Sequence, residues 1–101
     1  MLDYSVLAWI MAVQKGPPMA KRTIYSGEYE LLLRMLRDAR ERAGMTQVTL
    51  AQRLGITQSA LSKCERGELR LDVAQTRNWC RALKVPFGTF MVEYDRRAAK
   101  E

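Results

Sequence analysis

The chain reads as an all-α protein of five short helices. Three observations carry that expectation. Apolar residues recur at three- and four-residue intervals along most of the chain after residue 26. Ser, Thr or Asp caps and stop glycines punctuate those stretches at helix-length intervals. No segment alternates apolar and polar residues with period two over a useful length, and no internal repeat is present.

The first helix is expected over 27–43. Ser26 is a suitable N-cap, and Glu28 and Glu30 lie near the positive end of the helix dipole. Its apolar stripe would be Tyr29, Leu32, Leu33, Leu36, Ala39 and Ala43, and Gly44 would stop it. Thr46 caps a second helix, 47–54, with Leu50, Ala51 and Leu54 facing inward. Gly55 is expected to take positive φ at the turn. Thr57 caps a third helix, 58–65, ended by Gly67, and Ile56, Leu61 and Cys64 form its apolar set. Residues 68–71 read as a loop. Asp72 caps a fourth helix, 73–83, and Gln75 can close a capping box with it. Its buried stripe would be Val73, Thr76, Trp79, Cys80 and Leu83. Pro86 falls at or near the first position of a fifth helix, 87–94, which carries Phe87, Phe90, Met91 and Tyr94. Residues 96–101 read as a charged, frayed tail, and the folded domain as 27–95.

Residues 1–26 read as an N-terminal extension, expected to be flexible. The apolar run from Val6 to Val13 is far short of the ~20 residues of a membrane span. Gly16-Pro17-Pro18 breaks any helix there, and Met19 is a plausible alternative start. The competing idea is a short apolar arm packed on the domain or on a partner. Lys21 and Arg22 give the stretch before Ser26 the character of a basic arm.

With 101 residues, the chain has room for one modest core. Its 17 Lys and Arg against 11 Asp and Glu give net +6, which favours a polyanionic partner over a neutral one. Two Cys and no His are too few for a disulfide framework or a zinc site of the usual kinds. No metal or other cofactor is expected. The lack of His also removes the commonest acid–base catalyst, and no cluster of nucleophile, base and acid suggests an enzyme. Cys64 and Cys80 fall on apolar helical faces and read as small core residues. Nothing suggests export, so the expected location is the reducing cytoplasm.

The stretch QVTLAQRLGITQSALSKCER, residues 47–66, is the most informative. Two short helices meet at a glycine turn. Gln58, Ser59, Ser62 and Lys63 form a polar face on the second, free of the apolar set. Such a pair suits insertion of one helix into a DNA major groove. Together these residues resemble the phage-repressor, Cro/cI-type (lambda-repressor-like) helix-turn-helix DNA-binding family. Ala51 stands where the family places a small residue, Gly55 at its turn, and Leu61 at the aliphatic position facing the first helix of the motif. Gln47 matches the Gln that opens the motif, and Glu65-Arg66-Gly67 matches its closing Glu-x-Gly. The resemblance covers residues 33–94 and implies a five-helix DNA-binding domain. Two departures stand out: Cys64 is smaller than the usual core group, and Val48 and Thr49 replace residues that are often Glu.

The Gln58 amide carries an acceptor and a donor that can pair with adenine N6 and N7 together. Ser59 can reach a base edge or a phosphate, Ser62 either base type, and Lys63 guanine O6/N7 or a phosphate. Taken without the surrounding motif, Gln58 reads as a generic polar residue at a helix start. Gln47, Arg53, Arg66 and Arg70 are candidate phosphate contacts. The resemblance implies that Gln47 also braces Gln58. It further implies that Arg40 pairs with Glu65, stapling helix 1 to the recognition helix; otherwise Arg40 is solvated like Arg37. The expected function is a sequence-specific transcriptional regulator that binds double-stranded DNA as a homodimer, with helix 5 as the dimer surface, and is not a membrane protein. Two alternatives share the fold: an antitoxin-type regulator that also binds a partner protein, and an adaptor without DNA binding.

Overall fold

The computed structural model describes residues 27–100, so the expectations for Ser26, Lys21, Arg22, Met19 and the run from Val6 to Val13 lie outside the described residues. Five helices follow one another: α1 (Gly27–Arg42), α2 (Gln47–Leu54), α3 (Gln58–Glu65), α4 (Val73–Ala82) and α5 (Phe87–Ala98). No strand is present among the described residues.

Local chemistry sets the element ends. Thr46 accepts from Thr49 N at 3.1 Å and Thr57 from Ala60 N at 3.0 Å, so each helix of the motif starts on a threonine cap. Asp72 and Gln75 form the expected capping box, with bonds of 2.7 and 2.8 Å. Gly55 lies at φ +72°, a conformation that lets Ile56 N close back on Ala51 O at 3.0 Å and turns the chain sharply into α3. The same closure ends α4, but with Lys84 at φ +61° and Val85 N bonded to Cys80 O at 2.8 Å. Helix 4 therefore stops one residue earlier than expected, at a side chain whose type carries no stop signal.

The core lies where all five helices meet. Leu36, Leu50, Leu61 and Cys80 are almost completely excluded from solvent, and Trp79, Leu83 and Phe90 join them. Each fully buried Leu contributes roughly 1.5–3 kcal/mol. α2 packs on α3 and α4, while α1 is gripped by α3 and α5. Contact from two sides widens the buried arc of α1, so Leu31 and Met35 are core residues while Ala43 is exposed, a correction to the expected stripe. Val73, at the first position of α4, is 74% exposed, and Ile56, on the turn, is 38% exposed. Neither is the core residue that spacing suggested.

α5 differs most from expectation. It runs to Ala98, four residues past 94, so the first half of the stretch expected to fray, residues 96–98, is helical. Glu93 bonds Arg96 and Arg97 at 2.6 Å each, one turn apart, and Ala98 packs against the core. Phe90 is buried, and Phe87, Met91 and Tyr94 are half-buried on the core rather than displayed. Tyr94 donates its hydroxyl to Glu28 O at 3.0 Å, tying α5 to the start of α1. The surplus of aromatic surface expected on helix 5 is thus largely absorbed by the domain itself.

Candidate nucleic-acid interface

The site is built on α2 and α3, which pack on each other across the Gly55 turn, with Ala51 and Leu61 both buried. Leu61 faces inward, leaving Gln58, Ser59 and Lys63 exposed and Ser62 half-exposed.

Beneath this surface runs a chain of polar contacts spanning three helices. Arg40 on α1 donates through Nε to Glu65 Oε2 at 2.7 Å and through Nη2 to Glu65 Oε1 at 3.2 Å. Its Nη1 bonds Met45 O at 2.9 Å, which anchors the link between α1 and α2. Glu65 Oε1 also accepts from Gln47 Nε2 at 2.8 Å, and Gln47 Oε1 accepts from Gln58 Nε2 at 2.9 Å. The Arg40 and Glu65 side chains are 11% and 6% exposed, so the pair is buried, and each polar atom has a partner. Gln58, at the surface end, keeps its Oε1 and one N–H free of these contacts. That leaves an acceptor and a donor side by side, the pair a base edge can satisfy.

The other expected site residues are less uniformly placed. Ser59 and Lys63 are exposed on α3, and the Lys63 charge acts on the nearby Glu68 carboxylate. The Ser62 hydroxyl accepts from Arg66, which also bonds Glu68 Oε2 at 2.6 Å. That pair is exposed; the Arg66 bond holds the Glu68 carboxyl below its usual range and raises the Arg66 guanidinium. Glu68 thus offsets part of the charge that Arg66 brings to this face. Arg53 donates at 3.4 Å to Ala82 O, at the end of α4. Arg70 stacks its guanidinium 4.3 Å above the Tyr29 ring. The structure therefore joins Gln47 and Gln58 in one array and sets Arg53 and Arg70 against other elements.

Sequence reasoning missed Tyr29 as the residue that positions the loop after α3. Its hydroxyl accepts from Leu71 N at 2.9 Å, 42 residues away, and no local pattern signals such a contact. It also missed Glu68, although its spacing from Arg66 was visible. Beside α3, Leu54, Ile56, Cys64, Leu71 and Trp79 line an open groove of about 400 Å³, consistent with a small side chain at position 64. Burial raises the Cys64 thiol, with the Glu65 charge adding to it, and pushes the Cys80 thiol up to about 11. Both cysteines are free. Among the described residues no group of His, Cys, Asp or Glu is arranged to hold a metal ion.

Five helices, a glycine-turned helix pair and a polar outer face on its second helix define a helix-turn-helix DNA-binding domain. A family model described as a helix-turn-helix domain matches residues 31–88. Among solved structures, the chain is similar to an XRE-family like protein from Pseudomonas syringae pv. tomato str. DC3000. Sequence identity is 39% and the TM-score 0.69, over 74% of this chain and 92% of that one. No curated protein matches. The chain belongs to the Cro/cI-like (XRE) helix-turn-helix family, a DNA-binding and non-enzymatic family.

Proposed function

We propose that the protein is a sequence-specific transcriptional regulator that reads double-stranded DNA with α3 in the major groove. The observation that carries this is the outward acceptor–donor edge of Gln58, backed by Gln47 and, through it, by the buried Arg40–Glu65 pair. A base reader must be held in register before DNA arrives, and this one is. Gln47 retains a second amide hydrogen and sits at the start of α2, where the helix dipole favours a phosphate. Ser59 and Lys63 extend the readout, while Arg53, Arg66, Arg70 and the net charge of +6 supply attraction to the backbone.

An eight-residue helix is about 12 Å long and covers only three or four base pairs. Useful specificity therefore calls for a homodimer on a two-fold site. With α5 mostly folded inward, its contribution to such a dimer reduces to Val92, which is 70% exposed, and its half-buried neighbours. Among the described residues no helix is long and apolar enough to cross a membrane. Transcriptional regulation places the protein in the cytoplasm.

Selection of bound duplexes from a randomised library, followed by titration of the best site at rising salt, tests the proposal. Affinity should fall with a slope of roughly −0.9 per phosphate contact. Gln58→Ala should cost ~1–3 kcal/mol on the selected site and almost nothing on random DNA, because no charge is lost. Equal loss on both would remove Gln58 from base readout, and no binding to any duplex at low salt would overturn the proposal.

A further inference from the structure

We infer that Glu65 is a positioning residue for specificity: it sets, through Gln47, the direction in which the Gln58 amide faces the base. The inference rests on the reading of Gln58 as a base-contacting residue and adds what orients it. A glutamine amide is nearly symmetric in shape, so packing alone does not distinguish its oxygen from its nitrogen. Hydrogen-bond polarity does. A carboxylate offers only acceptors, so Gln47 must turn Nε2 toward Glu65, at 2.8 Å. That leaves Gln47 Oε1 facing Gln58, which must in turn present Nε2, at 2.9 Å. Arg40 grips both carboxylate oxygens, so Glu65 cannot rotate out of the relay. The outer edge of Gln58 then shows its oxygen and remaining N–H in one fixed order. Adenine N6 and N7 demand a matched acceptor and donor, and the reversed order mispairs.

Glu65→Gln turns this into a prediction with a direction. The two Arg40 bonds to Glu65 are unequal, 2.7 Å at Oε2 and 3.2 Å at Oε1. The substituted amide keeps its oxygen at the shorter contact and places its NH₂ at the Oε1 position, opposite Gln47. Gln47 must then turn its own oxygen inward and offer NH₂ to Gln58, which presents its oxygen to Gln47. The relay is inverted at the cost of the longer Arg40 contact, where Nη2 then faces an NH₂, and the edge facing the base is reversed.

The test compares duplexes selected from a randomised library by the wild-type chain and by Gln58→Ala, Glu65→Gln and Gln47→Met. The position whose base preference Gln58→Ala erases defines the readout. Glu65→Gln should lower the preference at that position alone, by about five- to 150-fold, the range of one bidentate pair. Gln47→Met, which leaves the Arg40–Glu65 pair intact, should do the same, and it carries the test if Glu65→Gln fails to fold. A purely structural Glu65 would weaken binding to every duplex alike and leave the ratio of bases unchanged. Wild-type base ratios in Glu65→Gln and Gln47→Met, with the ratio lost in Gln58→Ala, would overturn the relay while leaving Gln58 as a reader. A Gln58→Ala variant with unaltered preference at all positions would overturn both.

Discussion

Replacing Arg40 with alanine should be among the most damaging single changes outside the apolar core. Arg40 supplies two of the three hydrogen bonds to the Glu65 carboxylate and one to Met45 O. Its removal leaves a carboxylate that is 6% exposed with a single amide donor. Breaking one half of a buried pair costs ~3–5 kcal/mol, because the remaining charge stays desolvated. Domains of this size have a total stability of about 5–15 kcal/mol, so the loss is a large share of it. With a urea slope of about 1–1.5 kcal/mol per molar, the midpoint should fall by at least about 2 M. Arg37→Ala is the control. Arg37 is exposed one turn earlier on α1, and its loss should stay within about 0.5 kcal/mol. The double variant Arg40→Met, Glu65→Leu should recover most of the stability, since the cost lies in the orphaned charge rather than in the absence of a pair. Equal midpoints for Arg40→Ala and Arg37→Ala would refute the buried pair, and a double variant no better than Arg40→Ala would refute the orphan-charge explanation.

Three further outcomes follow from particular contacts. Lys84 holds a left-handed conformation that costs a side-chain-bearing residue roughly 1–2 kcal/mol, so Lys84→Gly should raise the denaturant midpoint by the equivalent of about 1 kcal/mol; a lower midpoint would mean that the lysine stem contributes more than the strain. Cys80 is fully buried with its thiol pushed up to about 11, so it should resist a thiol reagent at pH 8 until the domain unfolds, whereas Cys64, which lines the open groove beside α3, should label sooner; rapid labelling of Cys80 in the native protein would contradict that packing. Arg96 and Arg97 hold the half-exposed Glu93 carboxyl down to about 2 in the folded state, so its contribution to the end of α5 is present at neutral pH and is lost as pH falls from the ordinary carboxylate range toward 2. Helicity followed by circular dichroism should show a small acid loss in the wild type that Glu93→Gln lacks.

What the sequence alone determined about this protein was its local punctuation and the motif. Threonine caps at 46 and 57, the Asp72–Gln75 box and Gly55 act within a few residues of themselves, so their effect survives in the linear chain. The helix spacing of Ala51, Leu61, Trp79 and Cys80 fixed their inward faces for the same reason, and the family followed from the motif's joint pattern. The tertiary structure decided what depends on distant neighbours. Leu31 and Met35 are core because α3 and α5 hold α1 from two sides, and Val73, at the first position of α4, is left 74% exposed. The tail of α5 stays helical because its own Arg96 and Arg97 find Glu93 and Ala98 finds the core. Among six candidate cations and amides at the site, only the folded chain separates Gln47, joined to Gln58, from Arg66 beside Glu68, Arg70 over Tyr29 and Arg53 at Ala82. Side-chain hydrogen bonds across 11 to 42 residues leave no periodic trace in a sequence, because their partners meet only after the core has closed.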